Sequence, residues 1–239
     1  MRNVQFIQGG IYHIYNRGVE KRDIFINDND RWRFLQGLFL FNDEKTSESL
    51  IWELERENGP VNFKILKQYF LKNNKSRDSL VRIMTDCLMP NHYHLLIEEI
   101  RPGGISRFMH KLGTGYTKYF NEKYNRVGGL FQGTFKAVPV EQENHLQYLL
   151  VYINVINPGQ LVEQDLKDKG IKNKEKIINF AATYPWSANR EYLFTRESII
   201  IDKGLLGDIF PDKKTYVKFI KNILSEKNRL NEINNLFLE

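Results

Sequence analysis

His92 and His94 sit two residues apart in Met89-Pro90-Asn91-His92-Tyr93-His94-Leu95-Leu96-Ile97-Glu98, a run whose composition reads as a β-strand. Residues i and i+2 of a strand point to the same face, so the two imidazoles project side by side while Tyr93 points to the other face. Neutral imidazole is a common ligand for divalent metals, and a pair on one rigid element is half of a metal site. The plain alternative is a pair of histidines on a wet sheet face. The remaining histidines carry less chemistry. His13 lies on a neighbouring strand and reads as a satisfied structural residue, and His110 and His145 fall on helices as surface residues.

Positioning this pair requires a framework, and the hydrophobic pattern supplies one. Gly10–Gly18 alternates and is rich in β-formers, which predicts a first strand ending at Asn16-Arg17-Gly18. Asp28 or Asn29 can cap a helix carrying Trp32, Leu35, Leu38, Phe39 and Phe41 at helical spacing. Residues 44–79 are mixed and polar and read as an insertion, with a strand near Phe63–Leu66 and a basic tip at Asn73–Arg77. Strands at Leu80–Leu88 and Tyr93–Ile100 flank Pro90-Asn91 as an antiparallel hairpin. A long helix over 105–124 follows Gly103-Gly104. Leu130–Val140 reads as another strand, and Glu141–Ile156 as a helix that stops at Asn157-Pro158-Gly159. Further helices are predicted at Lys174–Ala182 and Thr215–Phe237, the latter basic and amphipathic, with a new element starting at Trp186-Ser187. The order strand, helix, strand pair, helix, strand, helix predicts an α+β fold with an antiparallel sheet and helices packed on one face.

Composition narrows the class. The chain has 239 residues, 41% hydrophobic and 27% charged, values ordinary for a globular protein. The one cysteine, Cys87, excludes an internal disulfide and reads as a small buried side chain. The start, Met1–Phe6, lacks the apolar region of a secretory leader. No run approaches the ~18 apolar residues that span a bilayer, so the expectation is a cytoplasmic protein without a membrane partner. The net charge of +6 favours a polyanionic partner without proving one.

Four motifs in order now carry a resemblance: Tyr12-His13-Ile14-Tyr15-Asn16-Arg17-Gly18 with Asp23-Ile24-Phe25; the histidine strand; Gly129-Leu130-Phe131-Gln132-Gly133-Thr134-Phe135-Lys136; and Tyr152-Ile153 with Asn157-Pro158, supported by Trp186-Ser187. Across residues 8–195 the chain resembles the single-tyrosine HUH transposases of insertion sequences, more narrowly the REP-associated tyrosine transposases. The resemblance implies a ferredoxin-like sheet with the histidines on a central strand and a nucleophilic tyrosine on a facing helix. It implies residues 1–160 as the catalytic domain, interrupted by the insertion, and 161–239 as a helical extension.

The implied chemistry is cleavage and rejoining of single-stranded or hairpin DNA through a 5′-phosphotyrosine, with Mg²⁺ or Mn²⁺ held by His92 and His94. Of the 12 tyrosines, Tyr152 stands just before Asn-Pro, where the family places its nucleophile. Tyr148, one turn earlier on the same helical face, is the second candidate. Tyr116 and Tyr119 read as core packing. The family completes the metal site with an amide or carboxylate one helical turn after the tyrosine. Here Ile156 takes the i+4 position and Asn157 is at i+5. A π-bulge can still turn Asn157 inward; the alternatives are Asn154, a water, or damaged metal binding. Arg17, Lys21, Arg22 and Lys136 are the candidate DNA contacts, each with a solvated surface charge as its alternative. The resemblance leaves both a single chain and a homodimer open. Two rival readings stand beside the transposase: a domesticated hairpin-binding protein that cuts poorly, and a ferredoxin-like RNA-binding or toxin-type module.

Overall fold

The computed structural model describes residues 4–45, 50–59, 61–72 and 77–225. Its centre is a four-stranded sheet built from β1 (Ile11–Arg17), β2 (Val81–Met89), β3 (His92–Glu99) and β4 (Lys136–Pro139) in the order β2-β3-β1-β4. Every pairing is antiparallel. With one helix between β1 and β2 apart from the insertion and another between β3 and β4, this is the ferredoxin-like α+β arrangement. The β2–β3 hairpin turns through Pro90-Asn91, as the sequence pattern predicts.

Two helices cover one face. α1 (Asp28–Leu40) starts at a reciprocal cap one residue before the expected Asp28 or Asn29: the Asn27 side chain accepts from Asp30 N–H, and Asp30 accepts from Asn27 N–H. α4 (Gly104–Lys123) is capped by a strand residue, because the Glu99 carboxylate accepts from the Gly103 and Ile105 N–H groups at 2.9 and 3.1 Å. The two helices bring Phe34 and Tyr116 into the core, with Phe34 against Tyr93 at 4.9 Å between ring centroids. Tyr93 therefore faces away from the histidines, as the strand period requires.

The opposite face is covered too, by a helix that changes pitch. α5 (Glu143–Val151) runs into a π turn at Tyr152–Ile156 and then α6 (Asn157–Gly159). The helix was expected to stop at Asn157-Pro158. It continues instead: Ile156 and Asn157 keep right-handed helical backbone angles, and Pro158 falls in the short α6 that follows the π turn.

Three other expectations are corrected. Phe63–Leu66 is not a strand but the start of α3 (Phe63–Lys72), which packs with α2 (Leu50–Asn58) around Leu54, Val61 and Leu66. Asn62 accepts from Ile65 N–H, a cap that the apolar run concealed. The fourth strand is only Lys136–Pro139, because Gly128 and Gly133 adopt positive φ and hold Leu130–Phe135 as a loop. Of the basic tip, residues 73–76 lie outside the described residues, and Arg77 turns inward over the Phe39 ring at 3.9 Å.

Beyond α6 come α7 (Leu166–Lys169), α8 (Lys174–Thr183), α9 (Asn189–Tyr192), α10 (Leu205–Ile209) and α11 (Lys213–Ser225). The end of the predicted last helix, past 225, lies outside the described residues. Residues 186–188 bond along the outer edge of β2: Leu88 N–H donates to the Trp186 carbonyl, and Ala188 N–H to the Asp86 carbonyl. One apolar cluster runs from β1 to Leu224, so this segment shares the main core.

Candidate active site

The site grows from strand register. Tyr15 pairs with His94 and Arg17 with His92 across β1–β3, and Cys87 faces His94 from β2. His13, Tyr15 and Arg17 therefore share the face of the histidines. The His92 and His94 rings meet edge to face with centroids 5.0 Å apart. His94 is wholly buried, whereas His92 is half-buried.

Both imidazoles are held at Nδ1. His92 Nδ1 lies 2.6 Å from Asn91 Oδ1, and Asn91 Nδ2 donates to the Lys21 carbonyl, which orients the amide. His94 Nδ1 lies 2.9 Å from Nε2 of His13, which is also buried. Any metal these rings take would therefore be bound through Nε2.

Tyr152 arrives from the covering helix. Its ring stands edge-on to His94 at 5.7 Å and to His13 at 6.3 Å, and it is 1% exposed. Tyr148 is directed elsewhere and stacks on Phe219 of α11 at 6.2 Å. The π turn changes the spacing between Tyr152 and Asn157, the candidate third ligand. Asn157 N–H donates to the Tyr152 carbonyl, an i+5 bond, so five residues fill the turn and Asn157, not Ile156, falls one turn on from the tyrosine. Asn154, the alternative, is committed to the core: its Oδ1 accepts from Thr85 and its Nδ2 donates to the Tyr216 hydroxyl.

Asn157 is wholly buried. Its Oδ1 accepts from Gln160 at 2.9 Å, and its Nδ2 meets no hydrogen-bond partner among the described residues. Turning over both amides keeps the Asn157–Gln160 bond and puts the Asn157 oxygen where the partnerless nitrogen stood. The donor set of two imidazole nitrogens and one amide oxygen then fits a divalent cation. Among the described residues no group of three or more His, Cys, Asp or Glu is placed to hold a metal, and His13 Nε2 is turned to His94 Nδ1.

Beside His92 a pocket of about 110 Å³ is lined by Tyr15, Asn16, Arg17, Gln132 and Lys136. Two of the four candidate DNA contacts thus come together. Arg17 donates to Gln132 Oε1, and the Lys136 ammonium lies 5.8 Å from the Tyr15 ring centre. Lys21 is exposed on the turn after β1, joined to the site through its backbone bond to Asn91, and Arg22 pairs loosely with Glu20 at 3.6 Å. His110 is exposed and His145 half-buried, both on helices as expected. Asn91, Tyr15 and Gln132 were not singled out from the sequence, and His13 was read as structural only. The i, i+2 relation of His13 to Tyr15 was legible, but their alignment with His94 depends on cross-strand register.

Among the described residues no helix is long and apolar enough to cross a membrane. No curated protein matches the chain. Among solved structures the chain is loosely similar to a REP-associated tyrosine transposase bound to a REP hairpin, at 12% identity and a TM-score of 0.44, covering 84% of this chain and 93% of that one. It is more loosely similar to the tRNA(His) guanylyltransferase of Saccharomyces cerevisiae, at 10% identity and a TM-score of 0.34, covering 77% and 76%. The family described as IS200-like transposase matches residues 61–155. That stretch holds His92, His94, Tyr148 and Tyr152 and ends before Asn157. Over the segment that carries its paired histidines and the tyrosine set against them, this chain is similar to the IS200-like transposases.

Proposed function

We propose that the chain nicks and rejoins single-stranded DNA beside a hairpin, with Tyr152 as the nucleophile. The observation that carries this reading is the Tyr152 ring set against His94, both inside the stretch that matches the transposase family, with His13 beside them. Arg17 and Lys136 flank the pocket at His92 and would hold the phosphates around the scissile bond. Lys21 and Arg22 would extend that contact along the strand.

In the first step the Tyr152 phenolic oxygen attacks phosphorus and its proton leaves to solvent. The Oη–P bond forms, the P–O3′ bond breaks, and the 3′ oxygen departs and is protonated. In the second step a 3′ hydroxyl gives up its proton and attacks the phosphotyrosine, a new P–O3′ bond forms, the Oη–P bond breaks, and the Tyr152 phenolate leaves and is reprotonated. One ester replaces another in each step, so no nucleotide cofactor is consumed. His92 and His94 through Nε2, with the Asn157 amide oxygen, would hold Mg²⁺ or Mn²⁺, which supplies Lewis-acid polarisation of the phosphodiester when bound. A phenol with pKa ~10 is a weak nucleophile at neutral pH, so positioning by the helix matters. Because Tyr152 is covered, the reacting state requires α5 and the π turn to draw back from the sheet. Turns of this kind break helix regularity and recur at functional sites.

The test is a denaturing gel of the protein incubated with labelled hairpin DNA and Mn²⁺. A covalent protein–DNA band is expected, absent in Tyr152→Phe and retained in Tyr148→Phe. A band lost in Tyr148→Phe and kept in Tyr152→Phe moves the chemistry to Tyr148. Tight binding with no band for any divalent ion supports the hairpin-binding or RNA-binding readings instead.

A further inference from the structure

We propose that His13 is a positioning residue that sets the tautomer of His94, and with it the competence of the metal site; this rests on the metal reading of the histidine pair. The two imidazoles are held differently. His92 Nδ1 faces an amide oxygen, which can only accept, so His92 must carry its proton on Nδ1 and present the Nε2 lone pair. His94 Nδ1 faces another imidazole nitrogen, which can donate or accept.

Two arrangements share the same 2.9 Å contact. With His94 Nδ1–H donating to His13 Nε2, His94 presents its Nε2 lone pair to a metal. With His13 Nε2–H donating to His94 Nδ1, the proton of neutral His94 sits on Nε2 and the ring cannot ligate there. Both rings are wholly buried and cannot exchange this bond for one to bulk water. His13 thus takes the place that a carboxylate or carbonyl holds behind most metal-bound histidines. Its ring is steadied by Tyr15, stacked at 4.9 Å, and by the edge contact with Tyr152. The residue that orients His94 therefore also touches the proposed nucleophile.

The experiment is direct Mn²⁺ binding, read as free Mn²⁺ by electron paramagnetic resonance, together with imidazole ¹⁵N correlation spectra of the metal-free chain. Wild type is expected to bind Mn²⁺ and to show His94 protonated at Nδ1. His13→Phe keeps a ring but removes the acceptor, and its Mn²⁺ affinity should fall about 10–100-fold, the usual cost of losing such a partner. His13→Gln, which accepts through its amide oxygen, should restore affinity to within a few-fold. A His13→Phe chain that binds Mn²⁺ as tightly as wild type overturns the role of His13 alone, as does a His94 protonated at Nε2 in wild type. A wild-type chain that binds no Mn²⁺ overturns the metal reading itself. If His13→Phe does not fold, the wild-type tautomer and the Gln variant still decide the matter.

Discussion

At the scale of single residues, the carboxyl of β2 stands outside the proposed chemistry. Asp86 on β2 is buried, and its pKa is pushed up to about 7, first by burial and then by the neighbouring Glu191 carboxylate, with Arg196 opposing. Glu191 itself is paired with the Arg196 guanidinium at 2.5 and 2.8 Å. The consequence for stability has a definite sign. The unfolded chain releases the Asp86 proton near pH ~4 and the folded chain near pH 7. Between these values the native state binds more protons than the unfolded state, so stability falls as pH rises, by up to about 1.4 kcal/mol per pH unit. Asp86→Asn keeps the shape of the protonated acid and should remove that slope. Denaturant titrations should show the variant near wild type at pH 4 and about 1–4 kcal/mol more stable at pH 8. An unchanged pH dependence would place the titration elsewhere. The opposite case is Asp30, where burial raises the pKa but hydrogen bonds from Lys123, Tyr124, the Asn27 backbone and Tyr119 outweigh it and lower the net value. That carboxylate joins α1 to α4 and is a structural anion.

At the scale of elements, the helices are placed by what their ends meet. α4 begins against the backbone of Leu80, so closely that a Cβ added to Gly104 would lie 2.3 Å from the Leu80 carbonyl oxygen. Gly104→Ala must therefore push the helix start from the strand and weaken the caps donated to Glu99. A destabilisation of about 1–3 kcal/mol is expected in a urea melt, the usual cost of overpacking; a neutral substitution would show that the start of α4 is free to shift. The π turn is the other decisive element. In a regular α-helix Asn157 would stand one residue out of phase with the tyrosine, and the wide turn absorbs that residue through the Asn157–Tyr152 bond. The strand pairing of β2 and β3 was legible from Pro90-Asn91 and the alternation around it. The helix at Phe63–Lys72 was not, because four residues with two apolar ends fit a short strand and a helical turn equally well.

At the scale of the whole molecule, the segment after α6 is packed into the same core as the sheet. Its link to the helix bearing Tyr152 is a buried chain of hydrogen bonds: Thr85 donates to Asn154, Asn154 to the Tyr216 hydroxyl, and Tyr216 to Asn189, at 2.6, 3.1 and 2.9 Å. Tyr216→Phe removes the hydroxyl partner of one buried amide donor, on Asn154, and of one buried amide acceptor, on Asn189. A loss of about 1–3 kcal/mol is expected. If the core is shared as the packing indicates, thermal unfolding of the variant should remain a single transition at a lower midpoint. A separate early transition would mean that the terminal segment melts alone. The stacking of Tyr148 on Phe219 belongs to the same interface and occupies the second candidate nucleophile with packing.

The amino-acid order alone determined the histidine pair on one face, the hairpin that carries it, the order of the four sheet strands with the helices between them outside the insertion, and the resemblance to a transposase family. Those features follow from local rules: a period of two in strands, a period near four in helices, and turns written in Pro, Asn and Gly. Only the tertiary structure decided that His13 bonds to His94, that Tyr152 rather than Tyr148 stands against the imidazoles, and that Arg17 and Lys136 share a pocket with His92. Each of these depends on the register of β1 with β3 or β4, or on the pitch of one helical turn. A shift of one residue in either moves a side chain to another face, and no nearby residue in the chain records which shift is taken.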